Sequence, residues 1–316
     1  MKPAMSLSTQ PASRQAMTPG AWGHAPRAQA VVLLSDVLAV EILPGLAGGI
    51  SSLSWRGDGA AVPLLQAGAL PQADVGGLGA ALACRPLVNL GLCPDRPAYP
   101  ACGLFAEAQA TEQAPWRVEH AGRAAVTLAL DHPGRHPYRL TQTFVLDQAS
   151  LSVRLELCNT GRRIQALGLG LSCSIARDST TWLAAAAAGL WCGTAESNTW
   201  RHTQVPPAWR FGVAYPLPAT GIAHAFSDWA GVARVQWPQR GLALALSGDT
   251  NGYVLSTPRE ADCFGFHPLD CAPDAAQRGL RPESGTLRLA PGAGWVRQFV
   301  LRVEAHGGPR AYAGLN

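Results

Sequence analysis

The stretch Cys263–Ala275 reads C-F-G-F-H-P-L-D-C-A-P-D-A. It sets one histidine, two aspartates and two cysteines among apolar residues, with Pro268 and Pro273 interrupting it. An imidazole can give or take a proton near neutral pH, so His267 is a candidate general acid or base. The competing reading is a histidine satisfied by hydrogen bonds inside a turn. Cys263–Phe266 reads as the end of a buried strand. Pro268 has no N–H to donate and is expected to stop the ladder, leaving His267 at a strand exit, where functional side chains often sit.

Other residue types offer less. The eight cysteines are Cys84, Cys93, Cys102, Cys158, Cys173, Cys192, Cys263 and Cys271. None forms a C-x-x-C pair, so zinc ribbons and dithiol redox motifs have no support, and most read as free thiols packed as small hydrophobes. The sequence has no G-x-G-x-x-G, Walker loop, H-E-x-x-H or G-x-S-x-G. A hydrolase or lyase would want a spaced carboxylate pair, and none stands out.

The elements that must hold these residues read as β throughout. Of the 316 residues, 47% are hydrophobic and only 15% charged, enough apolar content for one large core. Leu151–Leu157 alternates Leu, Val, Leu, Leu against Ser, Arg, Glu, the pattern of a half-buried strand. Leu167–Ile175 is continuously apolar with small residues, as in a strand covered on both faces. Ala30–Leu34 and Leu38–Leu43 read as a hairpin, and Ile50–Trp55, Trp116–His120, Ala124–Asp131, Tyr138–Leu146, Val232–Trp237, Leu242–Ser247, Tyr253–Ser256, Thr286–Leu289 and Trp295–Val303 as further strands. The alanines of 184–188 favour helix, but Gly189 and the flanking strands favour β. Turn clusters recur at sandwich-like spacing, and residues 64–100 read as irregular with short strands.

Residues 1–28, rich in Pro, Ala, Gln, Ser and Thr, lack the apolar core of a signal peptide and read as a disordered tail, as does 306–316; residues 29–305 form the expected domain. The net charge of +4 comes with no basic block, so nucleic acid is not expected, and no apolar run is long enough for a membrane helix. A cytoplasmic location is expected.

Five stretches in order resemble the bacterial aldose 1-epimerases, or galactose mutarotases. They are V-E-I-L-P-G-L-A-G-G-I-S-S-L at Val40–Leu53, H-P-Y-R-L-T-Q-T-F-V-L-D-Q-A-S-L-S-V-R-L-E-L-C-N-T-G at His136–Gly161, G-L-G-L-S-C-S-I-A-R-D at Gly168–Asp178, I-A-H-A-F-S-D-W-A-G-V-A-R-V-Q-W-P at Ile222–Pro238, and the opening stretch with Pro268 and Pro273-Asp274-Ala275. The resemblance spans roughly residues 30–304. It implies an all-β fold, a large antiparallel β-sandwich of the galactose mutarotase-like type (supersandwich), with an open sugar cleft.

It also implies a chemistry. Anomer interconversion needs a base at the anomeric hydroxyl and an acid at the ring oxygen, each worth about 10²–10⁴-fold. The family uses a glutamate as base and a histidine as acid, with a second histidine and an aspartate on sugar hydroxyls. This chain has His267 where the base glutamate precedes proline, Ser172 in place of the Phe-His-Pro histidine, and Cys102 in place of the His-Gly histidine. Ala223-His224 stands for the Asp-His pair and Asn89-Leu90 for Asn-Arg.

His267 is therefore the catalytic candidate. Asn89, Cys102, Ser172, His224 and Trp229 are the substrate-binding candidates, Trp229 as the aromatic platform, although Trp182, Trp191 and Trp229 also read as core. Asp228 and Asp274 read as turn residues. Convergence of Cys102, Cys173, His267 and Cys271 on zinc is a weaker alternative, since their spacing carries no metal signature; no cofactor is expected. The expected ligand is a small-molecule sugar, bound by a monomer or homodimer. Two functions stay open: an aldose 1-epimerase-type isomerase with weak or altered activity, and a non-catalytic carbohydrate-binding or regulatory protein.

Overall fold

The computed structural model describes residues 30–57, 60–66, 82–90, 116–133, 136–194, 199–218, 221–257, 262–270 and 287–305. The tails expected at 1–28 and 306–316 lie outside them, as do Cys102, Cys271 and Asp274.

The described residues form 21 strands: β1 Val31–Leu34, β2 Leu38–Leu43, β3 Gly49–Trp55, β4 Val62–Gln66, β5 Cys84–Leu90, β6 Arg117–Ala121, β7 Ala125–His132, β8 Tyr138–Asp147, β9 Ser150–Asn159, β10 Gln165–Ala176, β11 Trp182–Ala184, β12 Ala187–Thr194, β13 Thr199–Gln204, β14 Tyr215–Pro216, β15 Ile222–Trp229, β16 Val232–Trp237, β17 Leu242–Gly248, β18 Gly252–Thr257, β19 Cys263–Leu269, β20 Leu287–Leu289 and β21 Gly294–Ala305. The larger sheet runs β1-β2-β3-β4-β10-β19-β18-β15-β12-β13, with β5 and β20 also pairing β10. The smaller runs β14-β11-β16-β17-β21-β9-β8-β7-β6. Two layers of antiparallel strands with one core between them make this the all-β sandwich expected from the strand pattern.

Strand character follows burial. On β9, Leu151, Val153, Leu155 and Leu157 are buried while Ser152, Arg154 and Glu156 face outward, so its alternation marks a strand with one wet face. Every residue of β10 and β19 is buried, which explains their near-continuous apolar sequences. Ala184 ends β11 and Ala187 and Ala188 open β12, so sheet pairing overrides their helix propensity.

The inner face of the larger sheet carries Cys84, Leu169, Leu171, Cys173, Leu190, Phe226, Tyr253, Leu255, Phe264 and Phe266, all in the core. Phe226, Tyr253 and Phe266 stack in series with centroids 4.7 Å apart. Polar tips inside the core are paired: Tyr253 Oη donates to Ala185 O at 2.9 Å and Trp237 Nε1 to Ala176 O at 3.0 Å. Asn159, fully buried at the end of β9, closes the Asn-Thr-Gly turn. Its amide donates to Arg163 O and Leu289 O at 2.8 Å each, and its oxygen accepts from Gly161 N at 2.8 Å.

Pro268 does not end its strand. β19 runs on to Leu269, with Tyr253 opposite Pro268 and Gly252 opposite Leu269 on the β18 side. The interruption falls on the β10 side, where pairing stops at Cys173↔Phe266 and resumes at Gly170↔Leu269. The missing N–H thus opens one step of one ladder instead of terminating the strand. His267 lies within the sheet, beside that opening, and not at a strand exit.

Candidate functional site

Side chains alternate across a strand, so the neighbours of the core residues on β5, β10, β19, β18, β15 and β12 occupy the opposite, outer face. Register places a row of them side by side: Arg85 with Ser172, His267 with Val254, Val254 with Ala225, Ala225 with Trp191, and Trp191 with His202. Ser172 and His267 meet across the opened step, Oγ to Nδ1 at 3.0 Å. A side-chain hydrogen bond thus spans the place where Pro268 interrupts the backbone ladder.

Gly265, two residues back on the same face, makes room for the imidazole. A Cβ there would overlap His267 Nε2 and Ser256 Oγ. The ring therefore leans along the strand over bare backbone, toward Ser256, which pairs with Gly265 on β18.

The electrostatics of the row are unusual for a proton-transfer site. His267, Ser172 and Arg85 are only 4%, 6% and 4% exposed. Burial, with the Arg85 charge second, lowers the His267 pKa to about 3, so the ring is neutral at physiological pH. Burial also lowers the Arg85 pKa to about 10, which leaves the guanidinium charged at neutral pH. The row presents a neutral imidazole, a hydroxyl and a buried cation. Arg85 was not singled out from the sequence; its only signal there is a charged residue between Cys84 and Pro86 in an apolar run.

The other candidates are distributed differently. Asn89 lies on β5 opposite Gly168, four residues along from Arg85. His224 shares the parity of Phe226, and its ring packs tilted against Trp209 with centroids 4.2 Å apart, on the other face from His267. Burial lowers its pKa. Trp229 is 7% exposed, packs edge-on against Tyr253 and Phe266, and donates Nε1 to Val232 O at 3.2 Å. Asp228 just before it has φ of +52°, and this left-handed residue turns Trp229 into the core. The structure brings Ser172 and His267 together; it does not bring His224 or Trp229 to them.

Cys173 lies on the inner face, its Sγ 3.4 Å from Cys84 Sγ, so it and His267 point to opposite sides of the sheet. Among the described residues no group of three or more His, Cys, Asp or Glu could hold a metal ion. Asp270, at the end of β19, is 2% exposed and held by Arg297 of the smaller sheet through Nε at 3.0 Å and Nη2 at 3.0 Å. This pair pins the exit of the His267 strand to the opposite layer.

Comparison with known proteins fits this architecture. No protein-family model matches the sequence. The uncharacterized protein YphB of Escherichia coli K12 is 29% identical over 201 residues, 60% of this chain and 68% of that protein. A crystal structure from Escherichia coli K12, provisionally named an aldose 1-epimerase, superposes with a TM-score of 0.73 at 22% identity, over 88% of this chain and 99% of that one. This chain has the galactose mutarotase-like fold. A GalM/aldose epimerase homologue from C. elegans agrees, with TM-score 0.69 and 10% identity over 88% of this chain and 99% of that one. So does a galactose mutarotase related enzyme from Lactobacillus acidophilus, with TM-score 0.66 and 11% identity over 88% and 98%. No described helix is long and apolar enough to cross a membrane.

Proposed function

We propose that this chain binds a carbohydrate on the outer face of its larger sheet, around Ser172 and His267, and that any interconversion of sugar anomers there is weak or altered. The observation that carries this reading is the 3.0 Å contact between Ser172 Oγ and His267 Nδ1, made on a galactose mutarotase-like fold. These are the two positions where the resembling enzymes carry their acid and their base.

The residues present suit binding better than proton transfer. An efficient acid or base has a pKa near the working pH. With a pKa of about 3, His267 is not an imidazolium near neutrality, so it has no acidic proton to give and accepts one poorly. Ser172 can donate to or accept from a sugar hydroxyl but does not ionise near neutrality. A neutral ring and a hydroxyl still form the donor and acceptor pair that a sugar hydroxyl needs. The same facts support the second reading, a carbohydrate-binding or regulatory protein without turnover.

Polarimetry with freshly dissolved glucose and galactose, run beside a thermal-shift scan of sugars, separates the two. Thermal stabilisation with little rate enhancement is expected. Rates typical of an efficient enzyme would overturn the weak-catalysis reading, and no stabilisation by any sugar or sugar acid would overturn both.

A further inference from the structure

We propose that His202, Ser227 and Asp228 form a second, solvent-open site on the outer face of the larger sheet, where a general acid and a general base act on the ring of a cyclic hemiacetal sugar. The carbohydrate reading above supplies only the choice of substrate; the site itself stands apart from Ser172 and His267.

His202 ends the outer-face row, and Ser227 follows Ala225 by two residues on the same face of β15. β12 lies between their strands, so about 10 Å separates the two backbones. The side chains meet because Gly189 of β12 leaves the space between them open; a Cβ there would overlap both His202 Nε2 and Ser227 Oγ. Nε2 and Oγ are 2.6 Å apart, and Ser227 Oγ donates to Asp228 Oδ2 at 3.3 Å. A hydroxyl whose one proton is turned to the carboxylate accepts from Nε2–H, so the groups form a directed line from imidazole through hydroxyl to carboxylate.

His202 and Asp228 are exposed and Ser227 is half-buried, whereas His267 and Ser172 are 4% and 6% exposed. Among the described residues Nδ1 of His202 has no hydrogen-bond partner, and the Asp228 carboxylate accepts only from Ser227. A brace explains this line poorly. Water would satisfy the same exposed groups, and a glycine weakens the strand that carries it. β13 lies four strands from β19, roughly 19 Å, too far for one sugar ring to touch both His202 and His267.

Opening a hemiacetal ring takes a proton from the anomeric hydroxyl and puts one on the ring oxygen. The Asp228 carboxylate takes the first. The bond between the anomeric carbon and the ring oxygen breaks with its electron pair going to that oxygen, and the carbonyl forms. The protonated His202 imidazole gives the second proton from Nδ1. Closure on the other face runs both transfers back, so acid and base are restored with no further reactant. Ser227 is a positioning residue that ties one group to the other.

The test is the rate of anomer exchange in galactose and glucose, read on the full chain by polarimetry and saturation-transfer NMR. Wild type should exceed buffer by a small margin. His202→Gln and Asp228→Asn should each lose about tenfold or more of that excess. Gln keeps an amide for Ser227 but does not titrate, and Asn tolerates the left-handed backbone that Asp228 adopts at φ +52°. His120→Gln, at an exposed histidine of β6, should keep the full rate. Ser227→Ala should lower kcat with KM unchanged, and Ser227→Thr should restore part of it. A wild-type rate equal to buffer, or an unchanged rate in His202→Gln or in folded Asp228→Asn, would overturn the inference. Stabilisation by sugars alongside either result would leave the carbohydrate reading standing. Should Asp228→Asn fail to fold, His202→Gln decides alone, since loss of the acid must remove the excess rate.

Discussion

The His267 ring lies over Gly265, and the glycine is what allows it to. Gly265→Ala would set a methyl group where Nε2 and Ser256 Oγ now sit, so the imidazole must leave its place beside Ser172. A loss of about 1–3 kcal/mol in stability is expected, together with loss of any sugar response. Gly189 offers a matched control. It makes the same kind of room for His202 Nε2 and Ser227 Oγ, which bond at 2.6 Å several strands away. Gly189→Ala should cost comparable stability and leave sugar binding at Ser172 and His267 in place. Urea denaturation and sugar titration of the two variants check this; equal loss of binding in both would remove the Gly265 argument.

The pH dependence follows from burial of the imidazole. His267 titrates at about 3 when folded, against 6.5 for an ordinary histidine. The unfolded chain therefore binds the proton first, and the contribution to stability present above about pH 6.5 is lost as pH falls toward about 3. His132 and His224, both lowered by burial, act in the same direction. Asp270, raised to about 6 by burial, opposes them between its unfolded value of 3.8 and about 6. Urea midpoints are expected to fall between about pH 7 and about pH 4, and less steeply in His267→Gln. An NMR titration of the His267 ring should stay flat across the neutral range, and an inflection near 6.5 would refute the neutral-ring account.

Restoring the proton-transfer groups should restore turnover. In Ser172→His combined with His267→Glu, the new carboxylate would lie near the Arg85 guanidinium, which favours its ionised form. Mutarotation of galactose is expected to rise by tenfold or more over wild type, about 1.4 kcal/mol of barrier. An unchanged polarimetric rate in a folded double variant would mean that these two positions are not where the reaction is made.

The described cysteines should separate by burial. Cys192 is exposed and Cys158 partly so, whereas Cys84, Cys173 and Cys263 are buried. Burial pushes the Cys84 thiol well up, with the neighbouring Cys173 adding to it, which keeps it an unreactive thiol. Among the described cysteines, iodoacetamide labelling of the native chain, read by peptide mass spectrometry, should modify Cys192 first and spare Cys84, Cys173 and Cys263 until the chain unfolds. Early labelling of Cys84 or Cys173 would contradict their place behind Arg85 and Ser172.

Most of the strands were legible because their patterns come from burial. The alternation of Leu151–Leu157 and the apolar run of Leu167–Ile175 each report which faces are covered. The site was less legible, because facing depends on local backbone turns that composition does not encode. The positive φ of Asp228 is one such turn, and it sends Trp229 inward. His224 sits one residue out of step with Ala223 and Ala225, which settles its face once the register is known and not before. Pro268 misled in a similar way: a proline inside a central strand is tolerated where only one neighbour loses a bond. Arg85 went unseen because a charge in an apolar run reads as an edge or a turn until the strand pairing shows it buried on the outer face beside Ser172.

The grip of Arg297 on Asp270 has a consequence for how the molecule is made. β21, which carries Arg297, lies between β17 and β9 in the middle of the smaller sheet. Chains emerge from the ribosome N-terminal end first, and domains fold as units. Here nothing can fill the gap between β9 and β17, and nothing can clamp the far end of the His267 strand, until residues 294–305 have been synthesised. Ser172 and His267 meet through the pairing of β10 with β19, but the clamp on the end of β19 and the joining of β9 to β17 both wait on β21, so those two sheet edges stay open to other chains until it emerges. A ribosome stalled before β21 would hold a smaller sheet split between β9 and β17, with Asp270 unclamped at the end of the His267 strand.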